Sequence, residues 1–121
     1  MKYFIAQLVL ILMILPLQTY AQSMTEKDFI QSMFDYTNQQ NNLTKQISIQ
    51  AKNKDLAKGA KLTCQLRGIN YKKDKIIKSH PQYHKLLNPQ FFIHNDGIIK
   101  QTEETLSYTS RLGYSCSKHR L

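Results

Sequence analysis

Two cysteines and four histidines carry most of the chemistry this sequence could do. Cys64 and Cys116 are the only thiols. Cys116 opens a Cys-x-x-His spacing with His119, and His80 and His84 stand four apart around Tyr83. Thiolates and imidazoles bind zinc, but a closed site takes four ligands, commonly as two close pairs. Cys64 has no Cys or His near it in sequence. Two thiols in an oxidising compartment allow one intramolecular pairing. A Cys64–Cys116 disulfide closing a 53-residue loop is therefore expected. Metal binding through His80, His84, Cys116 and His119 is the alternative. The absence of a C-x-x-C argues against a redox-active pair.

Hydrolytic chemistry needs a nucleophile, a base and an orienting group. There is no G-x-S-x-G and no H-E-x-x-H. Glu103 and Glu104 are adjacent, so on a strand they point to opposite faces and cannot act as a carboxylate pair. Four glycines form no phosphate loop. No catalytic residue, cofactor or resident metal is assigned, and a non-enzymatic protein is expected. Asn42-Leu43-Thr44 is a glycosylation sequon, relevant only where exported proteins are glycosylated.

Charge is the other chemical resource. The 121-residue chain carries a formal net charge of +9. Residues 45–85 hold eleven Lys and Arg against Asp55 and Asp74, so this segment alone accounts for the excess. Ten of the eleven are Lys, a point charge without the two-pronged geometry of Arg. Lys58, Lys61, Arg67, Lys72, Lys73, Lys75 and Lys78 are the candidate contacts for an acidic protein or anionic polymer. The competing reading is a solvated face that maintains solubility. Tyr71, Tyr83 and Phe91 lie in or beside this segment. In a chain without Trp they are expected to pack rather than stack on a ligand.

The amino terminus reads as a secretory signal. Lys2 precedes an apolar run from Tyr3 to Leu17, Pro16 breaks it, and Thr19-Tyr20-Ala21 supplies small residues at the cleavage positions. A membrane anchor needs about 20 apolar residues, and this run contains Gln7 and Pro16. Cleavage after Ala21 is expected, leaving residues 22–121 as one small domain exported to the periplasm or beyond, with no transmembrane segment.

The elements that would position these groups come from hydrophobic periodicity. Thr25 as a cap, Glu26 and Asp28 in the first turn, and Phe29, Ile30, Met33 and Phe34 on one stripe predict a helix over 24–40. The polar run Asn38 to Asn42 ends it. Leu43, Ile47, Ala51, Leu56 and Ala60 predict a second helix over 43–60, interrupted near Asn53. Leu62, Cys64 and Leu66 alternate with polar residues, as in a half-buried strand. A helix there would turn Cys64 away from the face carrying Leu62 and Leu66. Pro81 starts one or two helical turns over 82–87. Phe91–His94 and Ile98–Gln101 flank Asn95-Asp96-Gly97, a hairpin signal. Leu106, Tyr108, Ser110, Leu112, Tyr114 and Cys116 alternate with Ser107, Thr109, Arg111, Gly113 and Ser115, the pattern of a strand. The expected fold is α+β: amino-terminal helices followed by a small antiparallel β-sheet, braced by one disulfide.

These features exclude a two-domain nucleotide enzyme and a multi-span transporter. They favour a small basic exported binding protein for an anionic partner. A periplasmic inhibitor or immunity protein belongs to the same class.

Overall fold

A computed structural model describes residues 24–116. The expected leader, residues 1–21, and the basic tail with His119 lie outside the described residues. Three α-helices and a 3-10 segment make up the described chain: α1 (Glu26–Lys52), α2 (Leu56–Ser79), the 3-10 segment Pro81–Leu86, and α3 (Pro89–Arg111). No strand occurs among the described residues.

Each helix is started and stopped by local chemistry. The Thr25 hydroxyl accepts from the Asp28 N–H at 3.1 Å, and Glu26 and Asp28 complement the positive end of α1. The chain leaves α1 through a tight reversal: the Asp55 N–H donates to the Gln50 carbonyl and the Lys54 N–H to the Ala51 carbonyl. That is a Schellman motif, which holds Lys54 left-handed at φ 57°. Asp55 then caps α2 by accepting from the Lys58 N–H at 3.1 Å. Asn88 caps α3 with Pro89 in its first turn. Gly113, at φ 94°, ends α3 in a second Schellman motif, with the Tyr114 N–H on the Thr109 carbonyl.

Short connections make neighbouring helices antiparallel. α1 and α3 each pack on α2 and scarcely touch one another. The apolar core gathers at one end, where Phe29 and Met33 of α1 meet Ile77 of α2 under Tyr83, Phe91 and Phe92. The Tyr83 hydroxyl donates to the Met24 carbonyl at 2.8 Å and pins the start of α1. Tyr83 and Phe91 therefore pack, as expected, whereas Tyr71 is exposed.

The α+β expectation is overturned, and each error has a physical cause. The helix expected over 24–40 runs on to Lys52 because Gln40, inside the polar Asn/Gln run, lies on the stripe of Phe29 and Met33 and is buried. The break foreseen near Asn53 separates α1 from α2 rather than dividing one helix. Leu62, Cys64 and Leu66 belong to α2. Thr63 is buried with them because a central helix is covered on most of its circumference. The Asn95-Asp96-Gly97 hairpin is instead the interior of α3, where Phe91, Asn95, Thr102, Leu106 and Thr109 follow helical spacing. The strand expected from Leu106 to Cys116 is the end of α3 and the turn after it.

Cys64 and Cys116 are joined, with Cα atoms 5.4 Å apart. Cys64 does sit to one side of the α2 core stripe. The Gly113 turn brings Cys116 back along that flank to meet it.

Candidate functional site: a lysine face, a buried ammonium and a cleft

The basic segment divides into three groups once α2 is formed. Helical spacing puts Lys58, Lys61, Lys72 and Lys75 on the side of α2 facing away from Leu66, Asn70 and Ile77. All four are exposed, over about 26 Å of helix at 1.5 Å per residue. Among the described residues, no carboxylate pairs with any of them. Arg67 instead pairs with Glu103 of α3 at 3.1 Å, and Lys78 with Asp74 at 2.8 Å. The hydrogen bond from Lys78 to Asp74, and then the Asp74 charge, hold that ammonium above its ordinary value.

Lys73 forms the third group and corrects its assignment to the binding surface: it is 0% exposed. Its Nζ donates to Gln40 Oε1 at 2.8 Å and sits 4.5 Å from the centre of the Phe91 ring. Gln40 Nε2 donates to Asn70 Oδ1 at 2.7 Å, Asn70 Nδ2 to Thr102 Oγ1 at 2.9 Å, and Thr102 to the Ile98 carbonyl at 2.6 Å. One polar chain thus crosses all three helices inside the bundle. Burial lowers the Lys73 pKa to about 8. Sequence reasoning missed Gln40, Asn70 and Thr102. The available signal was their position on otherwise apolar stripes: Gln40 is seven residues beyond Met33, and Asn70 four beyond Leu66.

His80 and His84 are occupied structurally. His80 Nδ1 donates to the Ile76 carbonyl at 2.9 Å, and His84 Nε2 to the Ile77 carbonyl at 2.7 Å. Both reach carbonyls in the last turn of α2, where the helical ladder runs out, and the Ile77 carbonyl also accepts the His80 N–H at 3.3 Å. His80 also stacks on Tyr83. Cys116 is committed to the disulfide, and among the described residues no three His, Cys, Asp or Glu side chains converge on a metal position.

Between α1 and α3 lies a cleft floored by α2. Thr44, Ile47, Ser48 and Ala51 line one wall, Thr63 and Leu66 the floor, and Ile98, Thr102, Thr105 and Tyr108 the other wall. The sequence reads as polar there, but the hydroxyls are satisfied locally. Thr44, Ser48, Thr63, Thr102 and Thr105 each donate to the carbonyl four residues back on their own helix.

No family model, no curated protein and no solved structure matches this chain. The fold and site define a disulfide-braced three-helix module with one basic face and one open cleft. No helix among the described residues is long and apolar enough to cross a membrane.

Proposed function

We infer that the protein is a small exported binding module, not an enzyme, which attracts an acidic protein or anionic polymer through Lys58, Lys61, Lys72 and Lys75. The observation that carries this reading is the gathering of these four lysines on one exposed side of α2, with no carboxylate partner among the described residues. Charges left free on one face set up a field that steers and holds an opposite charge. The disulfide supports export to the periplasm or beyond, since such bonds persist in oxidising compartments. The leader-like residues 1–21 support it independently. The disulfide also anchors the middle of α2, so the lysine face is held in a fixed geometry.

The test is retention on immobilised polyglutamate as salt is raised. Wild-type protein is expected to bind at low salt and to elute before about 0.2 M, since the Debye length falls to about 8 Å at physiological ionic strength. Lys61→Glu/Lys72→Glu/Lys75→Glu is expected to abolish retention. A triple variant retained like the wild type would end this reading.

A further inference from the structure

We propose that the α1–α3 cleft is a docking groove for an acidic amphipathic helix, about three turns long, of a partner protein. Four features converge on that occupant. First, α1 and α3 each pack on α2 but not closely on each other, and no helix among the described residues fills the position between them. Second, the walls are mostly short and apolar, built from Ile47, Ala51 and threonines whose hydroxyls are satisfied within their own helices, with Gln101 and Asp55 the longer polar side chains among them. Short side chains let a helix approach closely, and an apolar stripe laid into a groove is a recurring recognition mode.

Third, the dimensions fit. Along α3 the wall runs from Ile98 to Thr109, about 17 Å at 1.5 Å per residue, or three turns of helix. The most apolar part holds about 200 Å³. Drug-sized ligands occupy sites of about 300–1,000 Å³, so this volume suits one or two anchoring side chains. Tyr108 lines this part while remaining 54% exposed, and Leu56 beside it is also exposed.

Fourth, the rims select charge. Lys45 and Lys52 stand three and four residues either side of the lining residue Ser48, on the same flank of α1. Glu104 and Arg111 stand in the same relation to Tyr108 on α3. All four are exposed, and Asp55 lines the groove itself, so its edges carry three cations against two anions. A second copy of this chain, itself at +9, would meet like charge. An acidic helix would not. The groove faces away from Lys61, Lys72 and Lys75, so this proposal and the polyglutamate reading fail separately.

The probe is a designed helical peptide of about 16 residues, with leucines on one stripe and glutamates elsewhere, beside a twin carrying lysines for glutamates. Binding is followed by fluorescence anisotropy at about 0.15 M salt. The acidic peptide is expected to bind, and the basic twin at least about tenfold more weakly. Ser48→Trp fills the groove from an exposed position without changing charge. It is expected to weaken the acidic peptide about tenfold and to leave polyglutamate retention unchanged. Lys45→Glu/Lys52→Glu is expected to do the same to the peptide without touching the groove floor. Equal binding of both peptides, or Ser48→Trp binding like the wild type, overturns the proposal. So does a wild-type dimer that Ser48→Trp dissolves, because the groove would then belong to a copy of the chain.

Discussion

Lys73 Nζ donates to Gln40 Oε1 across 2.8 Å in the middle of the bundle, and neither residue is exposed to solvent. A lysine with no carboxylate against it is a costly core residue, because burial penalises its charged form. The face of Phe91 offsets part of this cost through its negative quadrupole. The pair connects α1 to α2, and Phe91 brings in α3, so a single ammonium touches every helix.

Stability should therefore depend on pH in a definite direction. The Lys73 pKa is about 8 in the folded chain against 10.5 for a free lysine. Below pH 8 both states hold the proton and the folded state bears the full cost. Between pH 8 and 10.5 the folded chain has released a proton that the unfolded chain keeps, so stability rises. Lys73→Met removes this contribution and leaves Gln40 Oε1 without its donor at every pH. The stability of wild type relative to Lys73→Met, from urea unfolding, is expected to increase by roughly 2–3 kcal/mol from pH 7.5 to 10.5. A pH-independent difference would show that the ammonium is not desolvated.

The disulfide should matter most to the α2–α3 pairing. Besides packing on α2, α3 is tied to it by the buried Asn70–Thr102 hydrogen bond, by Lys73 against Phe91 and by the Arg67–Glu103 pair on the surface, and such exposed pairs contribute about 0–1 kcal/mol. Closing a loop of 53 residues contributes up to about 4 kcal/mol by restricting the unfolded chain. Cys64→Ala/Cys116→Ala is expected to lower stability by about 2–4 kcal/mol in urea. A loss below about 1 kcal/mol would mean that the helices are held by packing alone.

Lys54 is the one described residue other than glycine in the left-handed region, at φ 57°. The Schellman hydrogen bonds hold it there at a cost of about 1 kcal/mol for an L side chain. Lys54→Gly relieves that strain and is expected to raise stability by about 0.5–1 kcal/mol. Thermal unfolding checks it, and a fall in Tm would mean that the Lys54 side chain contributes more than its backbone costs.

Much of the cap chemistry was legible in the sequence, while the element types of the second half were not. Thr25 with Glu26 and Asp28, the break near Asn53 and the start at Pro81 follow from local hydrogen bonding and backbone rules, which act within a few residues. The pairing of Cys64 with Cys116 followed from there being no other thiol. The helices after residue 60 were hidden by their polar cores. Thr63, Asn70, Lys73, Asn95, Thr102 and Thr109 are buried, so counting only apolar residues erased the 3.6-residue period and left a false period of two. Lys73 was misplaced for the same reason. A lysine reads as surface unless Gln40, 33 positions away, is known to meet it. The cleft was illegible because the direction of a threonine hydroxyl depends on the helix beneath it.

Gly97 separates the two readings of α3 most sharply. In a hairpin turn this glycine would occupy positive φ, and alanine there would destabilise. In α3 it lies mid-helix, and an added Cβ would meet nothing within 4 Å. Glycine in a helix interior costs about 0.5–1 kcal/mol relative to alanine, because the unfolded chain loses more freedom. Gly97→Ala is therefore expected to stabilise the protein by about that amount and to leave the far-ultraviolet circular dichroism helical and unchanged. Destabilisation by 1 kcal/mol or more, with loss of helical signal, would return residues 91–101 to the hairpin and remove the α3 wall of the cleft with them.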